Sequence, residues 1–184
     1  YLSPTKYRNL FKNSLKLRLR SDVPIGVCLS GGIDSSSIVS SLVKDFNISD
    51  LNTFSAVYGK NEESDESIYI KEFSSTIDNM HFIRPNADSF YNDFEQFIHC
   101  HNEPVPDTGP YIQYKVMELA ANYVKVTLDG QGADEQLAGY HNFFSIYYLE
   151  LLKKMELVKF SYEIFYNFKN HKSMDFLKYL IYYL

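Results

Sequence analysis

The string Ser30-Gly31-Gly32-Ile33-Asp34-Ser35-Ser36 puts two adjacent glycines, three hydroxyls and one carboxylate within a single short stretch. Adjacent glycines let a backbone turn sharply and approach a ligand closely, because no Cβ stands in the way. An apolar run precedes the string and an amphipathic stretch follows it, so the turn is expected between a buried strand and a helix N-terminus. Unpaired amides and the positive end of the dipole at such a terminus favour an anion such as a phosphate group. Ser30, Ser35 and Ser36 add hydroxyl donors, and the whole has the chemistry of a phosphate cradle. Neither GxxxxGK[ST] nor GxGxxG fits these residues, which sets aside the Walker and dinucleotide readings.

Asp34 is the odd component, because a carboxylate inside a phosphate nest repels its ligand unless a divalent cation lies between them. Magnesium takes one or two carboxylates together with phosphate oxygens, which gives Asp34 a use as a metal ligand. The plainer alternative is a helix cap, a position that aspartate favours. A second cluster, Asp129-Gly130-Gln131-Gly132-Ala133-Asp134-Glu135, again falls between an expected strand and an expected helix. Loops at the carboxyl ends of strands in an open parallel sheet share one edge, so Asp134 is expected near Asp34, where the pair would bind magnesium. Taken alone, this cluster also reads as a turn with Asp134 as a cap.

The elements that position these turns alternate. Ser3 as N-cap and Pro4 at the first helical position open a helix carrying Tyr7, Leu10, Phe11, Leu15 and Leu19 at three-to-four spacing. Residues 23–29 read as a buried strand, and Ile38, Val39, Leu42, Val43 and Phe46 as one helical stripe. Residues 51–58 are an expected strand, 66–77 a helix with Ile70, Phe73 and Ile77 inward, 80–83 a short strand and 87–99 a helix. A stretch with Pro104, Pro106, Gly109 and Pro110 is expected to hold no regular element. Ile112, Val116, Leu119, Ala120 and Tyr123 mark a further helix, and residues 124–128 a further strand. The fold class expected is α/β: an open, mostly parallel sheet with helices on both faces, followed by a helical C-terminal segment. From residue 143 to 184 the pattern is helical and rich in Tyr and Phe, with one polar break at 170–173 and an apolar end at 177–184 that reads as a buried or truncated helix. Its aromatics are expected as core and as subunit contact, which leaves a homo-oligomer open.

The chain has 184 residues, 45% of them hydrophobic and 22% charged, which suits one globular unit with a core and excludes a disordered or fibrous chain. Its 18 Lys and Arg against 23 Asp and Glu form no basic stripe for a phosphate backbone, so no nucleic-acid partner is expected. No apolar run reaches the roughly 20 residues of a membrane span, so no membrane partner is expected either. Cys28 and Cys100 fit no disulfide framework and no zinc spacing, which suits a reducing, cytoplasmic compartment. A Cys100 nucleophile served by His99 or His101 is set aside, since adjacent helical residues point to different faces. A start at Tyr1 and a stop at Leu184 without a cap suggest a piece of a longer protein.

The motifs together resemble a known family. SGGIDSS after a buried strand looks like the pyrophosphate loop (PP-loop) of the N-type ATP pyrophosphatases, and the fold that this implies is of the adenine nucleotide alpha hydrolase kind. RLRSDVPIGVCLSGGIDSS, TFSAVY, the Asp65-Glu66 pair, NEP at 102–104 and DGQGADEQLAGY resemble the synthetase domain of glutamine-hydrolysing asparagine synthetase. The resemblance covers roughly residues 7–148. It implies a synthetase domain over 1–148, with 149–184 as its truncated helical extension. The chemistry implied is attack of the aspartate side-chain carboxylate on the α-phosphorus of ATP, loss of pyrophosphate, and displacement of AMP from the β-aspartyl adenylate by ammonia. Carried over by position, Ser30, Gly31, Gly32, Asp34 and Ser35 would hold pyrophosphate. Leu29, Val57, Asp129 and Gly130 would meet the nucleotide, partly through backbone groups, and Asp34 with Asp134 would bind magnesium. A nest around the departing phosphates also stabilises charge that grows in the transition state.

Two features depart from the family pattern. The second motif commonly reads SGEGxDE, whereas Asp129 stands here for the serine and Gln131 for the glutamate. If that glutamate serves as a base, Gln131 cannot replace it, because an amide does not take protons near neutral pH. The other departure is that Tyr1 is no glutaminase nucleophile, so ammonia would come from a glutaminase domain outside this chain, and the isolated piece is expected to be inactive. Two further readings stand beside the first: a related amidotransferase acting on another carboxylate acceptor, and a non-catalytic nucleotide-binding module. Sulfur activation of a nucleotide is set aside for want of a basic surface and a cysteine pair.

Overall fold

The computed structural model describes residues 3–58 and 66–171 of the chain. The chain divides into two compact bodies, Tyr1–Gly130 and Gln131–Leu184. In the first body α1 (Pro4–Arg18) precedes β1 (Ile25–Cys28), α2 (Ile33–Phe46), β2 (Asn52–Ala56), α3 (Ser67–Lys71) with a 3-10 turn, β3 (Met80–Ile83), α4 (Ala87–His101), α5 (Gly109–Ala120) and β4 (Val126–Leu128). Strands alternate with helices as the periodicity predicts. The four strands pair in parallel in the order β3-β2-β1-β4. The chain therefore winds outward from β1 through β2 to β3, then crosses to the opposite side of β1 to lay down β4.

That crossing makes a topological switch point between β1 and β4, the place where an open parallel sheet leaves a crevice at its carboxyl edge. Both glycine turns leave the sheet there, one after Cys28 and one after Leu128. Each face of the sheet is covered. Val27, Leu29 and Leu128 pack on one side with Leu15 of α1, Ile38, Val39 and Leu42 of α2, and Ile70. Cys28 and Phe54 pack on the other with Val116 and Ala120 of α5. The period-two alternation along β1 thus sends Val27 to the α2 face and Cys28 to the α5 face.

Local rules account for the element ends. The Ser3 hydroxyl accepts from the Lys6 amide at 3.3 Å, and Pro4 sits in the first turn of α1, as expected. The expected helix over 66–77 is α3 followed by the 3-10 turn, with Ile70 and Ile77 buried and Phe73 half-buried. One expectation needs correction. Gly109 and Pro110 do not lie in an irregular stretch but open α5, because proline lacks a donor that a first-turn residue would leave unpaired anyway.

The second body holds the short α6 (Ala133–Leu137), then α7 (His141–Lys153) and α8 (Leu157–His171). Tyr148 and Leu151 are its buried core, packed by Phe144, Phe160 and Ile164, so part of the aromatic content is helix-to-helix core as expected. Val158, Tyr162, Phe165 and Phe168 on α8 are exposed. The break between α7 and α8 falls at 154–156, which the sequence reading missed. It is a Schellman ending: Met155 is left-handed at φ 56, the Glu156 amide reaches Leu151 O at 2.9 Å and the Met155 amide Leu152 O at 3.0 Å. A methionine at that position carries no turn signal. The expected polar break at 170–173 runs past the described residues, and the apolar end at 177–184 lies outside them. Among the described residues no helix is long and apolar enough to cross a membrane.

Candidate functional site

The first turn is a self-bonded loop. Ser35, buried at the start of α2, is its hub: its Oγ accepts from the Ser30 amide at 3.2 Å, meets Ser30 Oγ at 3.0 Å and lies 3.3 Å from Gly32 O. Ser30 Oγ in turn accepts from the Gly32 amide at 3.2 Å. The Ser30 and Ser35 hydroxyls, read from sequence as donors to a ligand, are thus engaged in holding the turn. Ser36 contributes its amide to Gly32 O at 3.0 Å.

Gly31 has φ 94, a left-handed conformation that side chains resist. It also faces a second obstacle, since a Cβ there would come within 2.9 Å of the Glu66 carbonyl oxygen and 3.0 Å of its Cβ. Glu66 is expected from the sequence as a family signature and as the start of the 66–77 helix, but not as a neighbour of this loop. Its carbonyl accepts from the Tyr69 and Ile70 amides, which starts α3 against the loop.

The N-cap of α2 is Gly32, with no side-chain cap bond, and Asp34 stands one position inside the first turn. The cap reading of Asp34 therefore fails. A carboxylate in the first turn is favoured by the dipole and needs no capping role. The same holds in the second body, where Gly132 at φ 92 is the N-cap of α6, again with no side-chain cap bond, and Asp134 lies in the first turn. Gln131 precedes that cap. In α6 itself the Gln136 side-chain Nε2 donates to Gly132 O at 3.2 Å, and the Tyr140 hydroxyl donates to Glu135 at 3.0 Å.

The end of β4 meets the first turn within the first body. A Cβ on Gly130 would lie 3.1 Å from the Ser35 amide nitrogen and 3.1 Å from Asp34 Cβ. Leu29 and Val57 belong to one buried cluster beneath the loop. The Leu29 amide donates to Phe54 O at 2.9 Å and its carbonyl accepts from Ser55 Oγ at 2.6 Å, so its backbone is tied into the sheet, with one carbonyl lone pair beyond that bond. The Val57 amide donates to Ile83 O at 2.9 Å.

Asp129 sits on the α5 face, half-buried, where Gln113 donates to it at 3.0 Å. Cys28 is its neighbour: burial first, then the charge of Asp129 and a thiol bond to it, pushes that thiol up to about 12. Gln113 is a site neighbour that sequence reasoning missed, and its helical position on α5 carries no local signal of this contact. Cys100 is exposed on α4, and the His101 ring bonds Phe97 O at 3.0 Å and packs on the Phe97 ring.

Magnesium fits the donor chemistry. Asp34 and Asp134 each place a carboxylate, the hard oxygen donor that magnesium takes, in a first turn whose cap is a glycine. Among the described residues no group of three or more His, Cys, Asp or Glu side chains is arranged to hold a metal.

Comparison with known proteins meets this arrangement from the other side. Residues 6–180 match the asparagine synthase family. A relative named putative asparagine synthetase [glutamine-hydrolyzing] 2, from Methanocaldococcus jannaschii, is 34% identical over 155 residues, 80% of this chain and 28% of that protein. Asparagine synthetase [glutamine-hydrolyzing] 1 of Bacillus subtilis is 35% identical over 73% of this chain and 21% of its own length. Amidase chyE of Penicillium rubens is 27% identical over 74% of this chain and 22% of its own. The chain thus spans about a quarter of the length of these relatives. With the parallel sheet, the glycine turn at its switch point and a match over nearly the whole sequence all agreeing, the chain belongs to the asparagine synthase family.

Proposed function

We propose that this chain is the nucleotide-binding synthetase part of an ATP-dependent ligase that converts aspartate to asparagine. The observation that carries the reading is the packing of Gly130 against the N-terminus of α2. It brings the end of β4 onto the Ser30–Ser35 turn at the switch point of a parallel sheet, where such folds bind phosphate ligands.

In this reading the amides of the first turn of α2, presented by the self-bonded loop, take the β and γ phosphates of ATP. They hold them more tightly as charge gathers on the leaving pyrophosphate. The Ser35 hub fixes the loop beforehand, so little reorganisation is needed when the ligand arrives. The aspartate carboxylate attacks the α-phosphorus, a β-aspartyl adenylate forms, and ammonia displaces AMP. Asp34 and Asp134 would hold magnesium, which supplies charge neutralisation between carboxylates and phosphates when bound. Ammonia would come from a glutaminase domain, in keeping with the longer relatives being named glutamine-hydrolyzing synthetases.

A second reading is favoured by Gln131 together with the amidase relative: the same activation applied to another carboxylate acceptor. An amide at position 131 does not serve as a base, so a chemistry that needs one there would draw it from the acceptor or from elsewhere. The full-length protein, supplied with ATP, magnesium, ammonia and aspartate, separates the two. Asparagine formed in step with AMP and pyrophosphate supports aspartate as acceptor. AMP release that depends on another carboxylate, with none on aspartate, removes it.

A further inference from the structure

We propose that Gly139 is a positioning residue for Asp134, holding its carboxylate in the orientation that takes the cation; this rests on the reading of Asp134 as a magnesium ligand. Helix α6 ends on a left-handed residue, and that residue is Ala138, at φ 58. Glycine is the residue that a left-handed helix ending ordinarily uses, yet here it comes one position later, where φ is not positive. Conformational freedom is therefore not what keeps position 139 without a side chain.

Space is what it supplies. A Cβ on Gly139 would fall onto Oδ1 of Asp134, with Asp134 Cγ at 2.7 Å and Asp134 Cβ at 3.0 Å. The Asp134 side chain lies directly on the bare Cα of Gly139. The backbone ties the same two residues together from the other side, because the Gly139 amide donates to Asp134 O at 2.9 Å and the Ala138 amide reaches that same carbonyl. Residue 139 is thus anchored to the main chain of residue 134 and walls off one side of its carboxylate. The loop is stapled further by Gln136 on Gly132 O and Tyr140 on Glu135. A metal-bound carboxylate must be held in one rotamer, and groups behind the ligand commonly set this.

The test uses the full-length protein with Mn2+ as probe and an ATP analogue bridged by methylene between the α and β phosphorus atoms. Mn2+ affinity is read by electron paramagnetic resonance and folding by the thermal transition. Gly139→Ala is expected to weaken Mn2+ binding by about tenfold or more, the usual effect of disturbing a ligand's support, while D134A/G139A binds no more weakly than D134A alone. Wild-type Mn2+ affinity in G139A, alongside a loss in D134A, overturns the positioning role and leaves the metal reading standing. Wild-type affinity in D134A overturns the metal reading, and the positioning role falls with it. Should G139A lose its thermal transition, D134A/G139A recovers the transition of D134A if the carboxylate is the obstacle. Failure to recover it overturns the proposal.

Discussion

The Cα of Gly130 lies against the peptide joining Asp34 to Ser35, so close that a Cβ would stand 3.1 Å from the Ser35 nitrogen. Backbone atoms in a helix's first turn cannot give way as a flexible side-chain tip can. Gly130→Ala is therefore expected to cost about 1–3 kcal/mol through overpacking and to push the β4 end off the loop. ATP affinity of the full-length enzyme would fall with it. Gly132→Ala is the contrast, because among the described residues nothing lies within 4 Å of its Cβ position and its cost comes from φ 92. Equal ATP affinities in wild type and Gly130→Ala would show that the two turns do not form one site.

Cys28 provides a pH test of the contact between β1 and the β4 turn. Its thiol lies at about 12 in the folded chain against 9.0 as the ordinary value. A raised acid holds its proton in the folded state after the unfolded state has lost it. Stability is then unaffected below pH 9 and falls as pH rises from 9 towards 12, by about 1.4 kcal/mol for each pH unit in that window. Cys28→Ala should remove this component, read as a flatter alkaline fall in the urea midpoint than that of wild type. A thiol reagent near pH 8 should label exposed Cys100 well before Cys28. Rapid labelling of Cys28 would mean that its burial beside Asp129 is wrong.

Periodicity and caps made much of the scaffold legible. Met80–Ile83 and the Ser3-Pro4 start of α1 follow directly from alternation and from the chemistry of orphan amides. Pro110 was misread because proline breaks a helix from within yet suits its first turn, and sequence alone does not say which side of the boundary it occupies. Met155 adopts a left-handed turn without a residue that advertises one. At the site, the glycines and the Asp34 carboxylate were legible, since their chemistry is local. The contacts of Gln113 with Asp129 and of Gly31 with Glu66 depend on strand order, and no nearby residue encodes that.

Thr53 is fully buried in β2, between Val27 and Met80 in register, and its hydroxyl has no hydrogen-bond partner among the described residues. A buried donor left unsatisfied carries its desolvation cost without return. Thr53→Val keeps the shape and the β-branched backbone preference while removing that hydroxyl. It is expected to raise stability by up to about 1 kcal/mol, measured as a higher urea midpoint with an unchanged slope. A lower midpoint would mean that the hydroxyl is bonded in solution.

Helices α4 and α5 are joined by a charged knot behind the sheet. Lys115 donates to Asp93 at 2.9 Å and also to Glu118, and the Tyr111 hydroxyl donates to Asp93 at 2.8 Å. Desolvation alone would lower the lysine, but its bonds to Glu118 and Asp93 outweigh that and raise it. For Asp93 the bond from Lys115, then the bond from Tyr111, hold the carboxyl below its ordinary 3.8. A depressed acid stabilises the fold above its unfolded value and loses that contribution as pH falls through the folded value. The linkage therefore acts below about pH 4. Asp93→Asn should flatten the fall in the urea midpoint on acidification from pH 5, and Lys115→Met should flatten it too, because the cation that depresses Asp93 is gone. If only the aspartate variant changes the acid slope, the depression comes from Tyr111 and not from the lysine.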